Sequence, residues 1–247
     1  MSILLLDVGN SRLKWALAEQ DVPGAAAALE HGGDPSSAVA AIDAAGFDAI
    51  WVANVTGPAH TVSLGAALQL RFGLVPHFAR VEARQAGLAV AYADPQRLGV
   101  DRWLGLLAAW SDARAPLCVL GAGTALTFDA VDAAGRHLGG VIAPGLLTMQ
   151  QAVLGATRFH AAGPDLDYSD GLGQDTEACV RQGALHACAG LAERLAARYA
   201  AGAARILTGG DAGRLMPHLG PGWTLRPELV MEGLLRLARG AAGSAAA

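Results

Sequence analysis

Residues 4–17 read LLLDVGNSRLKWAL, an apolar run that breaks at Asp7-Val8-Gly9-Asn10-Ser11 and then resumes around Lys14. A glycine in the turn after a strand lets main-chain N–H groups meet an oxyanion with no side chain in between. Asn10 and Ser11 add neutral donors, and Lys14 adds a cation that can face phosphate. Asp7, at the strand's end, offers a carboxylate able to hold Mg2+ directly or through water. The same residue types also make a plain hairpin turn, and on this stretch alone both readings stand.

Two later stretches repeat the pattern. PLCVL leads into Gly121-Ala122-Gly123-Thr124, and Arg205-Ile206-Leu207 leads into Thr208-Gly209-Gly210-Asp211-Ala212. Thr124 and its neighbouring amides suit a β- or γ-phosphate, and the bare glycines 209 and 210 leave room for a ribose or adenine. Neither GxGxxG nor a Walker A sequence occurs. The set therefore suits a nucleoside triphosphate better than a dinucleotide.

The elements that must position these turns follow from periodicity. Strands are expected at 3–6, 13–18, 49–55, 116–120, 125–131, 138–142 and 205–207, with a short extended piece at 90–92. Helices are expected at 36–45, 58–72, 101–110, about 145–157, 175–200 and 229–239. In 58–72, Val62, Ala66 and Leu70 are spaced four apart, as are Leu64 and Leu68, and Gly65 interrupts the helical pattern. Each half of the chain begins strand, glycine turn, strand. This predicts two α/β domains with a cleft between them, 1–114 and 115–247.

Composition narrows the class. The chain has 247 residues, 53% hydrophobic and 16% charged, with a net charge of −4. No basic stripe is present, so nucleic-acid binding by phosphate neutralisation is not expected. The stretch 138–157 is apolar and uncharged, but Gly139, Gly140, Pro144, Gly145, Gln150 and Gln151 make it loop plus helix rather than a membrane span of about 20 apolar residues. Residues 1–6 lack the length and basic flank of a secretory signal. Three cysteines, Cys118, Cys179 and Cys188, form no CxxC, so neither a disulfide framework nor a zinc site is expected, and a cytoplasmic location is. Cys179 and Cys188, nine apart on one helix, should face different ways, in buried apolar roles rather than as nucleophiles. His31, His60, His77, His137, His160, His186 and His218 show no HxH or HExxH spacing. They read as ordinary core or surface residues.

Together the turns resemble the phosphate-1, phosphate-2 and adenosine motifs of the acetate and sugar kinase/Hsp70/actin superfamily. Tyr92-Ala-Asp-Pro95-Gln-Arg-Leu98-Gly99-Val100-Asp101-Arg102-Trp103 resembles a Tyr…Leu-Gly-x-Asp-Arg signature. Gly123-Thr124-Ala125-Leu126-Thr127-Phe128-Asp129 resembles Gly-Thr-Ala-x-Thr-x-Asp, and residues 138–145 resemble Gly-Gly-x-Ile-x-Pro-Gly. These are signatures of type III pantothenate kinases, and the likeness runs from about residue 2 to 238.

The resemblance implies two ribonuclease-H-like domains of the actin-like ATPase kind around a nucleotide cleft. It implies phosphorylation of pantothenate by ATP to 4′-phosphopantothenate, the first step of coenzyme A synthesis. It also implies Mg2+, a monovalent cation (K+ or NH4+), and a homodimer whose pantothenate site forms partly at the subunit interface.

By the same resemblance Asp101 is the catalytic base, although its position also suits a cap on the following helix. Asp7, Val8, Gly9, Asn10, Ser11, Arg12, Leu13, Lys14 and Thr124 fall at ATP. Tyr92, Gly99, Val100, Asp101, Arg102 and Thr176 fall at pantothenate, and Thr176 also suits a helix N-cap. Asp7 serves Mg2+ through ATP. One departure stands out. The family carries an acidic residue two before Gly-Thr, a ligand of the monovalent cation, and here that residue is Gly121. The site is then lost, filled by carbonyl oxygens, or served by Asp129. A superfamily kinase with another small acceptor, and a non-catalytic nucleotide-binding regulator, are the competing readings.

Overall fold

The computed structural model describes residues 1–157 and 167–245. The chain forms two compact units, one of Met1–Ala86, Tyr92–Ser111 and Glu228–Ala247, the other of Gly87–Ala91 and Asp112–Pro227. The division is therefore not the linear one expected at Arg114. The chain's last helix belongs with its first strands.

In the first unit, β1 (Ile3–Val8) and β2 (Arg12–Ala18) form an antiparallel hairpin, with Asp7 opposite Lys14. Next come β3 (Ala27–Glu30), α1 (Pro35–Ala38), β4 (Ala49–Asn54), α2 (Pro58–Phe72) and β5 (His77–Phe78). The sheet order is β3-β2-β1-β4-β5, with β4 parallel to both β1 and β5. β1 lies in mid-sheet, which is why its run Ile3, Leu4, Leu5, Leu6 is unbroken and fully buried.

The helix expected at 36–45 is only α1 plus a 3₁₀ turn, Val39–Ala41. Asp34 caps its start, its carboxylate accepting from Ser36 N–H at 3.0 Å, and Ile42 turns extended to bury itself in the core. On α2 the pair Leu64 and Leu68 is fully buried, while Val62 and Leu70 of the other stripe are 75% and 90% exposed. Gly65 lies against the Phe78 ring, so its missing side chain serves close packing. The helix ends at Gly73, whose φ of 71° and bond to the Gln69 carbonyl make a left-handed cap.

The short extended piece expected at 90–92 lies earlier. β6 (Arg84–Gln85) and β7 (Leu88–Ala89) form a short two-stranded hairpin. Its turn residues Ala86 and Gly87 both have positive φ, as a two-residue hairpin requires. α3 (Val100–Ala113) follows, buried over most of its length from Trp103 to Trp110.

The second unit repeats the first. β8 (Leu117–Ala122), β9 (Ala125–Val131) and β10 (His137–Pro144) form an antiparallel meander. Then come α4 (Leu146–Ala156), α5 (Thr176–Tyr199), β11 (Ala204–Thr208), α6 (Ala212–Leu215) and β12 (Trp223–Leu225). The order β10-β9-β8-β11-β12, with β11 parallel to β8 and β12, matches the first sheet strand for strand. Both α/β units share this ribonuclease-H-like strand order. α7 (Leu229–Ala245) returns to the first unit, packing on β1 and β4. A Cβ on its Gly233 would overlap the Leu104 carbonyl, so glycine sets how closely α7 and α3 approach.

Candidate active site

In the first unit the turn after β1 is a hairpin turn, closed by Gly9 N–H donating to the Arg12 carbonyl at 3.0 Å. The Gly9 amide is thus committed within the turn. Asn10 and Ser11 are exposed at the tip. Val8 and Leu13 are fully buried and hold the turn from behind. The Arg12 guanidinium reaches Glu30 on β3 at 3.4 Å. His31, at the end of β3, lies under the turn. Its Nε2 is 2.9 Å from the Gly9 carbonyl, its N–H donates to the Ser11 carbonyl at 3.3 Å, and its Nδ1 accepts from Gly33 N–H at 3.2 Å.

Asp7 is the electrostatic centre of this unit. Loss of hydration, then the charge of Asp101, raise its pKa from 3.8 to about 7, with Glu228 adding to the rise and Lys14 opposing it. Three carboxylates, Asp7, Asp101 and Glu228, therefore share one field with a single lysine across the hairpin. Glu228 was not singled out from the sequence. The signal was present, an acidic residue directly before the apolar run of α7, but nothing local says that α7 returns to β1.

Asp101 occupies the first turn of α3. Trp103 N–H donates to the Gly99 carbonyl at 3.0 Å, so the helix begins after Gly99 and Asp101 is its second residue rather than its cap. The carboxylate accepts from Arg102 N–H at 2.8 Å, and the helix N-terminus favours its charge. A Cβ on Gly99 would stand 2.6 Å from Asp101 Oδ1. Arg102 Nη1 lies 3.4 Å from the Tyr92 hydroxyl, which joins two of the expected substrate residues.

In the second unit three glycine-bearing stretches pack on one another. Gly123 N–H donates to the Ala125 carbonyl at 3.1 Å, and Gly145 N–H to the Thr124 carbonyl at 3.0 Å. A Cβ on Gly145 would overlap the Gly123 carbonyl, and one on Gly209 (φ 101°) would overlap that of Ala122. Asp211 N–H donates to the Ala122 carbonyl at 3.0 Å, tying the third turn to the second. Thr124 is exposed at the tip.

Gly121 contributes no side-chain donor. Its Cβ direction points at Thr127 Oγ1, 2.6 Å away. Asp129 is 2% exposed, with its Oδ1 2.9 Å from His137 Nε2. Among the described residues no three His, Cys, Asp or Glu side chains gather as a metal site.

Thr176 is the first residue of α5, and the cap is Asp175, whose Oδ1 accepts from Ala178 N–H at 2.7 Å. Thr176 lines a largely apolar hollow of about 850 Å3 between α4 and α5, with Met149, Val153, Cys179 and Val180. Cys118 and Cys188 are buried, but Cys179 is exposed, so the expected buried role does not hold for it. No helix among the described residues is long and apolar enough to cross a membrane. His160 lies outside the described residues.

The model of the type III pantothenate kinase family matches residues 3–198. A type III pantothenate kinase of Halorhodospira halophila is 37% identical over 96% of this chain and 97% of its own length. One from Xanthomonas oryzae pv. oryzae is 40% identical over 98% and 99%. Among solved structures, a putative Baf family transcriptional activator from Campylobacter jejuni superposes with a TM-score of 0.64 at 19% identity, over 97% of this chain and 99% of that one. At that identity the likeness concerns the fold alone.

Proposed function

The chain belongs to the type III pantothenate kinase family and is an ATP-dependent pantothenate kinase, and from that premise we propose how its residues divide the chemistry. Asn10, Ser11 and Lys14 bind ATP phosphates, on a turn that Val8, Gly9, Arg12 and Leu13 shape, and Thr124 binds them from the second turn. Asp7 fits a divalent cation, since a desolvated carboxylate among like charges gains most from one. Mg2+ bound there would offset phosphate charge. Asp101 accepts the proton of the pantothenate hydroxyl as its oxygen bonds to the γ-phosphorus and the bond to ADP breaks. Arg102, Tyr92, Gly99, Val100 and Thr176 hold pantothenate, with the guanidinium suited to its carboxylate.

The observation that supports this reading is that the charge of Asp101 helps raise the pKa of Asp7, as expected for a base acting in the same electrostatic field as a metal-binding carboxylate. The test is ADP release with ATP, Mg2+ and pantothenate by wild type and Asp101→Asn. Pantothenate-dependent turnover that collapses in the variant supports the reading. No turnover in the wild type, with ATP still bound, would favour a nucleotide-binding regulator instead.

The donors at Gly121 do not fit a strong K+ or NH4+ site, because glycine brings no carboxylate and Asp129 is engaged by His137. The enzyme works as a homodimer in the cytoplasm. The exposed Leu138, Val141 and Ile142 of β10 and Val153 of α4 supply the apolar face for the second copy.

A further inference from the structure

We propose that His31 is a positioning residue for nucleotide binding, pinning the turn at residues 9–11 in the shape that receives phosphate. The proposal rests on the reading of that turn as an ATP phosphate site. His31 is 6% exposed, and its ring reaches the turn at one point, Nε2 to Gly9 O at 2.9 Å, while its main-chain N–H donates to Ser11 O at 3.3 Å. Its tautomer follows from its third partner. Gly33 N–H can only donate, so Nδ1 is the acceptor and the neutral ring carries its proton on Nε2, which donates to Gly9 O. Gly32 and Gly33, with φ of 58° and 97°, curl the chain so that this amide meets the ring.

The pinning has a direction. In a planar trans peptide the C=O and the next N–H point opposite ways, and the described peptides include no cis bond. Holding Gly9 O on His31 therefore aims Asn10 N–H away from the ring. Gly9 is already held on one side, its N–H donating to Arg12 O at 3.0 Å, and His31 holds its carbonyl on the other. The imidazole, rigid and shielded from water, restrains the freedom that the glycine brings. A donor aimed before the ligand arrives loses less on binding.

The test is calorimetric binding of a non-hydrolysable ATP analogue with Mg2+, together with KM for ATP and for pantothenate. His31→Ala should weaken analogue binding about five- to tenfold, the scale of one lost buried hydrogen bond, and raise KM for ATP while KM for pantothenate stays unchanged. His31→Gln, which can place an N–H near Nε2, should recover most of the affinity, and His31→Asn should not. That Gln–Asn comparison carries the test if His31→Ala fails to fold. Wild-type analogue affinity in His31→Ala, or Gln no better than Asn, overturns the proposal. Lys14→Ala and Asn10→Ala separate the two layers. If they lose the analogue while His31→Ala keeps it, only the role of His31 falls. If none of the three loses it, the phosphate reading of the turn falls as well.

Discussion

Gly99 and Asp101 share a space that holds one side chain. A Cβ on Gly99 would come within 2.6 Å of Asp101 Oδ1. The glycine's backbone needs no left-handed φ. Its role is to leave the carboxylate where the first turn of α3 presents it.

Gly99→Ala should therefore spoil catalysis more than folding. The obstructed atom ends a flexible side chain, so the carboxylate swings aside. Alanine at the helix start costs no more than about 1 kcal/mol, whereas a displacement near 1 Å in a reacting group costs about a hundredfold in kcat. Steady-state kinetics beside urea denaturation checks this. Wild-type kcat in a folded variant would refute it.

Asp7 gives the metal-free protein a pH signature. Its carboxyl ordinarily titrates at 3.8 and in the fold is raised to about 7 by burial and then by Asp101. Between those values the folded chain keeps a proton that the unfolded chain has released. Stability should fall as pH rises from about 4 to 7 and level off above, by a few kcal/mol at most. Denaturation across that range should show the slope in wild type, and Asp7→Asn should flatten it. Identical slopes would count against the assignment.

Thiol reactivity should single out one cysteine. Burial pushes Cys118 up to about 12 and Cys188 to about 11, so neither offers thiolate at neutral pH. Cys179 is exposed. An aromatic disulfide reagent should titrate one equivalent in the native protein, none in Cys179→Ser, and three in denaturant.

Gly209→Ala should destabilise the second unit by about 2–4 kcal/mol, through overlap with the Ala122 carbonyl and a φ of 101°. Gly213→Ala in α6, which meets nothing within 4 Å, should cost nothing. Equal midpoints for the two variants would contradict the packing of the third turn on the second.

Replacing K+ by tetramethylammonium should leave the rate nearly unchanged, since Gly121 brings no carboxylate to a cation site. A large K+ stimulation would show that carbonyl oxygens or Asp129 suffice. Asp129→Asn would then distinguish those two.

Much of the site was legible because its turns are local. A strand that stops in Asp-Val-Gly-Asn-Ser, or in Gly-Ala-Gly-Thr, marks a glycine turn within five residues, although the first stretch alone also reads as a plain hairpin turn. The long central strands were equally plain, since burial on both faces demands unbroken apolar runs. The missed strands, Ala27–Glu30, His77–Phe78 and Trp223–Leu225, are short edge pieces of three sheet positions or so. Pairing with a neighbour makes them strands, and periodicity does not reach that far. On α2 two stripes competed, and only the sheet decided that Leu64 and Leu68 turn inward.

By itself the sequence determined the repeated strand–turn–strand plan, the order of the glycine turns, and the carboxylate at residue 101. Each follows from residues adjacent in the chain. Only the tertiary structure decided that α7 returns to the first unit, that Glu228 and Asp101 share a field with Asp7, and that His31 lies under Gly9. Those relations join segments far apart in the chain. They exist because burying the apolar faces of β1, α3 and α7 brings the polar residues at their ends together. The energy that settles them is spread over that core, and no single motif records it.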